Sequence, residues 1–354
     1  MSILKRCIKT LTLSISCIFL CSNSFAHHGS VVNPNLYLAE NLVELEGEIT
    51  DVFWRSPHPR YRLRVPNGDL WELELSGSPL TYRRVGLSEE DIARVGETIK
   101  VAGYISRMDA KSLGVLHILL PNGQEFVNGN RDLRWSSVRR TAETLDLDPI
   151  KVETAIRNAD GLFRVWGPVR SPELEEADYV HMLTATGQQL SAAYDPIADN
   201  YELECRQGMP DTMFDRGAAM DFVDEGDRIL IHLEEYDIER VIYMSDQTGQ
   251  MQTTHSDLGY STGRWQGEDL IVETAGIDWP YYDEVGIPQS TQVSHLERFS
   301  VSADGNTLDY ELTINDPVIF SGPLVLTTTR QWAPGREVEH YGCIANWDKT
   351  GILE

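Results

Sequence analysis

Apolar and polar residues alternate along several short stretches in the first third of the chain, as in strands that bury one face. A helical stretch within Leu80–Arg94 separates the third stretch from the fourth, with Ser88 as the expected N-cap. Three strands, a helix and two strands is the element order of a small OB-like barrel. The strands predicted here are Val43–Trp54, Tyr61–Val65, Leu70–Leu75, Glu97–Ile105 and Leu113–Leu120.

Strand signals return after Gly161, at the short spacing typical of an antiparallel barrel. The polar residues between the two β regions contain one candidate short helix, after Asp148-Pro149. The predicted fold is therefore mainly β: an OB-like small barrel over 27–127, a linker over 128–160, and a lipocalin-like antiparallel β-barrel or half-barrel over 161–354. The later predicted strands are Phe163–Trp166, Ala219–Val223, Arg228–Glu235, Glu239–Met244, Asp269–Thr274, Gln292–Val301, Thr307–Ile314, Leu324–Trp332 and Glu337–Cys343.

Residues 1–26 have the features of a signal peptide. Lys5, Arg6 and Lys9 form a basic start, an apolar run covers Leu11–Leu20, and Ser24-Phe25-Ala26 resembles a cleavage site. We expect cleavage after Ala26 and delivery to the periplasm or the outside of the cell. No later stretch is long and apolar enough to span a bilayer, so we expect no stable membrane insertion after cleavage.

The overall charge narrows the range of partners. The chain has 30 Lys and Arg residues against 55 Asp and Glu residues, a formal net charge of −25. A nucleic-acid partner is not expected, because phosphate contacts need a basic surface. The signatures of phosphate loops and dinucleotide-binding folds are also absent from the sequence. A small-molecule partner agrees better with this composition.

The cysteines predict one disulfide bond. Cys7, Cys17 and Cys21 belong to the expected signal peptide, and the last two lack the Leu-small-small approach that lipidation needs. Cys205 and Cys343 remain, in a compartment that we expect to be oxidising, so a disulfide is favoured over two free thiols. Closing so long a loop would stabilise the fold by roughly 4–5 kcal/mol in the chain-entropy model.

Two sets of motifs resemble families of uncharacterised secreted bacterial proteins. The N-terminal set is similar to a family with Ala-His-His-Ser, an LEGTV strand and Trp-x-Asn-Pro-His, although Gly29 intrudes and Ser56 replaces the usual Asn. The C-terminal set is similar to a second module that is sometimes fused to the first. The resemblance implies secretion and a lipocalin-like second half, and it supplies no reaction. The motifs are Ala26–Ser30, Val43–Gly47 and Trp54–His58, then Cys205–Pro210, Gly259–Thr274 and His295–Phe299.

The histidines near the expected mature N-terminus could bind copper. A terminal His27 would offer its α-amine and Nδ1 as one chelate, and His28 or His58 could add a further imidazole. Such a nitrogen set matches the tetragonal geometry that Cu(II) prefers. The alternative is a solvated terminus without metal, as is common for chain ends. Zinc is less favoured, because no sequence pattern supplies a tetrahedral ligand set.

A second group of candidates lies in the C-terminal barrel. Strand alternation places His295 and Glu297 on one face, where they could polarise or protonate a ligand as catalytic residues. His232 is predicted to share a face with Glu234 in an earlier strand. The alternative is that these faces point to solvent, as most charged strand faces do. The other expected ligand contacts are His255 and Tyr260 beside a glycine-rich turn, Trp265 and Tyr282.

These observations leave several functions open. The leading prediction is a periplasmic or secreted protein that binds a small, largely apolar or aromatic molecule in a C-terminal barrel cavity. The first alternative is a copper-binding protein or copper-dependent oxidoreductase that uses the N-terminal histidines, with copper as the only cofactor considered. The second alternative is a cofactor-free, lipocalin-like lyase, isomerase or hydratase. A purely structural role is the remaining alternative.

Overall fold

The computed structural model describes residues 36–129, 131–140, 147–167, 179–196, 198–214, 218–244, 255–283 and 286–344. These residues form two β units in sequence, and helices are few and short. The mainly β class predicted from the sequence is therefore confirmed. The expected signal peptide, residues 1–26, lies outside the described residues, as do His27 and His28.

The N-terminal unit is an OB-like barrel. Its strands are arranged in the order β3-β2-β1-β4-β5-β6, and a parallel pairing of β3 with β5 closes the ring. A ring of five strands cannot alternate in direction throughout, which is why one neighbouring pair runs parallel. The strands are β1 Tyr37–Phe53, β2 Arg60–Arg64, β3 Leu70–Glu74, β4 Thr98–Ser106, β5 Ser112–Leu119 and β6 Glu125–Val127.

The helical stretch predicted between β3 and β4 is two short helices, α1 Pro79–Arg84 and α2 Glu89–Ile92. Gly86 separates them, with a φ of 70° that a helix cannot contain. Ser78 caps the first helix, and a Ser88–Asp91 capping box begins the second. Both helices bury apolar side chains in the core of the N-terminal barrel.

The C-terminal unit is a closed barrel of nine strands, β7 to β15. Neighbouring strands are antiparallel except β10 and β11, which run parallel with Ile242 opposite Ser261. As in the first barrel, an odd number of strands requires such a pair. The strands are β7 Val165–Gly167, β8 Met220–Asp224, β9 Arg228–Leu233, β10 Ile238–Tyr243, β11 Tyr260–Gln266, β12 Asp269–Ala275, β13 Ser294–Val301, β14 Thr307–Asn315 and β15 Leu324–Trp332.

Strand β11 corrects one expectation. The sequence around Gly263 was predicted to be a glycine-rich turn, but it is a full strand paired with β12 on one side and β10 on the other. A Cβ atom at Gly263 would lie 2.7 Å from both Ile242 Cγ2 and Met244 Sδ. The glycine therefore allows β10 and β11 to approach closely.

The segment Glu337–Cys343, predicted to be a strand, is instead part of an irregular C-terminal tail, which we define as residues 333–344. Asp237, in the turn after β9, accepts hydrogen bonds from the backbone N–H groups of Tyr341 at 2.7 Å and Gly342 at 3.0 Å. The Ser56 hydroxyl of the first barrel donates to the Tyr341 carbonyl at 2.6 Å. The tail is therefore held by both barrels.

The predicted disulfide between Cys205 and Cys343 is present, and it joins residues 138 positions apart in sequence. Cys343 lies in the C-terminal tail and not in a last strand of the barrel. Helix α3, Pro149–Arg157, lies between the barrels in sequence, and α4, Ala185–Ser191, and α5, Asp211–Phe214, lie in the connection between β7 and β8. Within the ranges given above, no helix has the length and apolarity needed to cross a bilayer.

Candidate ligand site in the C-terminal barrel

Strand β13 brings His295 and Glu297 into the barrel. Both side chains are buried, with 3% and 0% of their surface exposed, whereas Leu296 between them is 46% exposed. The outward alternative, with Leu296 and Arg298 inside, is therefore wrong. Arg298 lies on the outer surface and forms an ion pair with Asp269.

An ion pair across the barrel interior holds Glu297. Both terminal nitrogens of Arg240, on β10, donate to the Glu297 carboxylate, with Nη1 lying 2.8 Å from Oε1. The Tyr310 hydroxyl donates to Oε1 at 2.8 Å, and the Thr274 hydroxyl donates to Oε2 at 3.0 Å. Arg240 Nη2 also lies 3.0 Å from the Ser261 hydroxyl oxygen. Three strands thus contribute partners to one carboxylate on a fourth, and β11 adds a partner for Arg240.

These contacts fix the charge of Glu297. Burial alone would raise the pKa of its carboxyl, but the Arg240 guanidinium outweighs that effect and holds the pKa below its ordinary value. Burial raises the pKa of Tyr310 well above its ordinary value, so Tyr310 stays a phenol that donates to Glu297. Each carboxylate oxygen already accepts two hydrogen bonds. Glu297 is therefore a poor candidate for the proton transfer that its predicted catalytic role requires.

His295 differs from Glu297 because neither ring nitrogen has a hydrogen-bond partner among the residues that the structure describes. Burial lowers the pKa of its imidazole to about 4, and this effect exceeds the opposing influence of the Glu297 charge. The ring is therefore neutral at physiological pH, with one N–H donor and one nitrogen acceptor. Arg240 Nε is also buried and unpartnered within the described part of the chain.

Aromatic side chains form the apolar surroundings of this polar group. Phe299 follows on the same inward face of β13 and stacks on Tyr310 with ring centroids 4.8 Å apart. Phe222 and Phe214 add edge-on and tilted contacts, each with centroids 5.3 Å from a ring of that pair. The barrel therefore combines an internally neutralised ion pair, a free imidazole and aromatic walls.

Tyr282 covers one end of the barrel rather than lining an open mouth. Its hydroxyl donates to Asp316 Oδ2 at 3.0 Å, and its ring packs against Phe320. Gln289, in the same connection, donates from its side chain to the carbonyl oxygens of Met209 and Trp279 at 2.9 and 2.8 Å. These bonds fix the connection between β12 and β13 over the barrel end that lies nearest His295.

The other predicted contacts lie away from His295. His232 is on the outer face of β9, where its Nδ1 donates to Asp221 at 2.8 Å. Tyr260 is on the outer side of β11 and stacks on Tyr243. Trp265 is 44% exposed, and His255 is also exposed. The structure therefore brings together His295 and Glu297, and it does not bring these four residues to them.

Arg240, Thr274, Tyr310 and Ser261 were not predicted to belong to the site. Arg240 could have been identified from the sequence, because it lies between the apolar Ile238 and Ile242 on the same face of one strand. An arginine on an inward face needs a buried anion, and Glu297 is a glutamate that is predicted to face inward. The hydroxyl residues carried no such signal, since Ser and Thr are common on either face of a strand.

The copper candidates are tested only in part. His28 and His27 are outside the described residues, while His58 is half-buried in the first barrel and donates through Nδ1 to the Leu75 carbonyl at 3.0 Å. In the neutral form of the ring, that bond leaves Nε2 as the nitrogen that can bind a metal. Among the residues with described positions, no group of three or more His, Cys, Asp or Glu side chains could hold a metal ion.

Comparison with known proteins adds no assignment. No protein-family model matches the chain. No curated protein matches it either. Function is therefore argued from the chemistry of the site itself, since a barrel fold by itself implies no particular activity.

Proposed function

We propose that the C-terminal barrel binds a small, neutral and largely apolar or aromatic molecule, with His295 as its polar contact. The observation that carries this proposal is the buried His295 ring, neither nitrogen of which has a hydrogen-bond partner among the described residues. Leaving a buried donor or acceptor unpaired costs about 1–3 kcal/mol. A ligand with a hydroxyl or carbonyl group would remove that cost, and its apolar part would contact the aromatic walls.

The electrostatics of the interior favour a neutral ligand. Arg240 and Glu297 cancel each other, and their remaining bonds are to hydroxyl groups. A charged ligand would lose its hydration in this buried interior, which is unfavourable unless a counter-charge pairs with it. An uncharged molecule with one hydrogen-bonding group matches the neutral imidazole.

Binding is better supported than catalysis. A lyase, isomerase or hydratase needs a group that exchanges protons near neutral pH. His295, with a pKa of about 4, stays neutral and is a weak base there. Glu297 is held as a carboxylate by Arg240. The pair is suited to positioning a ligand, and not to moving a proton.

The proposal is tested with 2-naphthol, a neutral fluorescent aromatic alcohol, and with native mass spectrometry of protein isolated from its host. His295→Leu should weaken 2-naphthol binding by about fivefold or more, the value of one net hydrogen bond of about 1 kcal/mol. His232→Leu is the matched control, because His232 lies on the outer face of the same barrel and should leave affinity unchanged. Equal binding by the wild type and His295→Leu would refute the assignment of His295.

We further propose that this binding takes place in the periplasm or outside the cell. The basic and apolar leader over 1–26 supports export. The Cys205–Cys343 disulfide supports an oxidising compartment. Intact-mass analysis of the exported protein should give a chain that begins at His27, and a mass that retains the leader would contradict the proposal.

Copper binding by His27, His28 and His58 is a second candidate function. The observation in its favour is the His58–Leu75 hydrogen bond, which orients the ring and leaves Nε2 available, as is usual for metal-binding histidines. Protein beginning at His27 should bind about one Cu(II), with a nitrogen-rich paramagnetic spectrum that His58→Ala alters. Equal copper binding by protein with an added N-terminal Met would contradict this site.

A further inference from the structure

A cavity of about 210 Å³ lies between helix α1 of the first barrel, helix α3 and the C-terminal tail. It lies outside the barrel interior and shares no lining residue with the His295 site. Three of its lining side chains are cations from three separate parts of the chain. The lining residues are Arg84, Lys151, Gly335, Arg336, Glu337 and Glu339.

Two of the three cations that line this cavity form ion pairs, and the third, Arg336, does not pair with any described residue. Arg84 forms an ion pair with the buried Glu234 of the second barrel. Lys151, in α3, lies 2.8 Å from Glu337. The guanidinium of Arg336 has no hydrogen bond or ion pair with any residue at a described position.

The remaining carboxylate of the cavity also has a partner, since Glu339 pairs with Arg83. The carboxylates that line the cavity are therefore engaged, and none is left for Arg336. Arg336 is half-buried beside Arg84, and both its burial and the Arg84 charge lower its pKa, against the influence of Glu234. It remains charged at neutral pH because arginine deprotonates only at far higher pH.

The position of Arg336 is fixed by the neighbouring residue. Gly335 has a φ of 82°, and a Cβ atom there would lie 2.6 Å from Val152 Cγ2 in α3. The glycine therefore lets the tail pass directly over the helix that carries Lys151. This close passage places Arg336 and Lys151 on the same cavity.

We infer that this cavity binds a small anion through a carboxylate or phosphate group. Arg336 would donate the paired hydrogen bonds for which a guanidinium is suited. Arg84 and Lys151 would add positive charge, and Glu337 and Glu339 disfavour ligands of high negative charge. The cavity is smaller than the roughly 300–1,000 Å³ of sites for drug-sized ligands, which restricts it to small molecules.

The inference is tested by thermal unfolding in sodium phosphate and in sodium succinate, each compared with sodium chloride at equal ionic strength. With millimolar affinity, 20 mM of either anion should raise the Tm of the wild-type protein by about 3–6 °C. Arg336→Gln should abolish that rise. Arg264→Gln is the control, because Arg264 is an exposed arginine that pairs with Glu273 on the outer barrel surface, and it should keep the full rise.

A second readout separates ligand binding from a structural role. In chloride alone, Arg336→Gln should be at least as stable as the wild type, because it removes repulsion from Arg84 and breaks no described side-chain bond. The inference is overturned if neither anion raises the wild-type Tm above the chloride value, if Arg336→Gln responds as the wild type does, or if Arg336→Gln is markedly less stable in chloride. Phosphate acting without succinate would identify a phosphate ligand, and the reverse a carboxylate.

Discussion

At the scale of single residues, the interior of the second barrel contains an ion pair that is fully shielded from water. Arg240 and Glu297 are both fully buried, and each is satisfied mainly by the other. Such a pair adds little net stability compared with well-packed apolar residues, but loss of one partner leaves an isolated buried charge. The pair is therefore better understood as a fixed polar surface beside His295 than as a stabilising contact.

The first prediction follows from that asymmetry. Glu297→Gln should lower the free energy of unfolding by about 3–5 kcal/mol, because Arg240 then stays buried without an anion. The double variant Glu297→Leu with Arg240→Met should lose much less. Urea unfolding measures both. Glu273→Gln, in an exposed pair with Arg264, is the control and should change stability little. A double variant as damaged as the single one would contradict the argument.

The second prediction concerns pH. The pKa of His295 is lowered from 6.5 to about 4 in the folded protein, chiefly by burial. Between these values the unfolded chain binds the proton and the folded chain does not, so stability falls as pH decreases through this window. Well above pH 6.5 the ring is neutral in both states, so this loss of stability is absent there. His295→Leu should remove about 2–3 kcal/mol of the loss that the wild type shows between pH 6.5 and pH 4.5.

Urea unfolding at several pH values measures that loss for the wild type and for His295→Leu. His232→Leu should retain the wild-type pH dependence more closely, because its ring is partly exposed on the outer face. Parallel stability curves for the wild type and His295→Leu would show that His295 is not a buried neutral base.

At the scale of elements, alternation predicted most strands of both barrels, because each strand has one face in the core and one in solvent. It also placed His295 and Glu297 together on β13. It missed β11, since Gly263 interrupts the pattern and few residues on that strand are apolar. It wrongly predicted a strand at Glu337–Cys343, because apolar and polar residues also alternate in a tail that packs against two barrels.

The composition of the site was harder to predict than its location. Which strands lie next to each other around a closed barrel depends on contacts that are distant in sequence. Arg240 reaches Glu297 only because β10 and β13 face each other across the interior. The outward positions of His232 and Tyr260 follow from the same closure, which selects the apolar face of each strand for the inside.

A third prediction tests the approach of β10 and β11. Gly263→Ala should lower the free energy of unfolding by about 1–3 kcal/mol, because the added methyl group would overlap buried Ile242. Gly322→Ala is the matched control, since no described residue beyond its chain neighbours has an atom within 4 Å of a Cβ at that position. Thermal or urea unfolding compares the two. Equal stabilities would contradict the close contact at Gly263.

At the scale of the whole molecule, the C-terminal tail joins the two barrels. Asp237 of the second barrel and Ser56 of the first both hydrogen-bond to the backbone of Tyr341. The disulfide then attaches the end of the tail to Cys205. The tail is thus fixed to both barrels by bonds that do not involve the interior site.

A fourth prediction separates the tail from that site. Replacing both Cys205 and Cys343 by Ser should lower the Tm, by an amount equivalent to about 4–5 kcal/mol in the chain-entropy model. Binding of 2-naphthol should be unchanged, since neither cysteine lies in the barrel interior. A reducing agent should lower the Tm of the wild type and leave the double variant unaffected. Loss of 2-naphthol binding in the double variant would contradict this separation.

The parallel junction of β10 and β11 has a consequence for how molecules could reach the interior. Among the described residues, its backbone ladder has two registered pairs, Ile242 with Ser261 and Tyr243 with Thr262. From inside, Arg240 of β10 reaches across to the hydroxyls of Ser261 and Thr274. The wall is thus closed there by side chains as much as by backbone, so brief separation of these strands would make a portal beside His295. Native-state hydrogen exchange would detect it as faster exchange at β10 and β11 than at the eight registered pairs of β13 with β14.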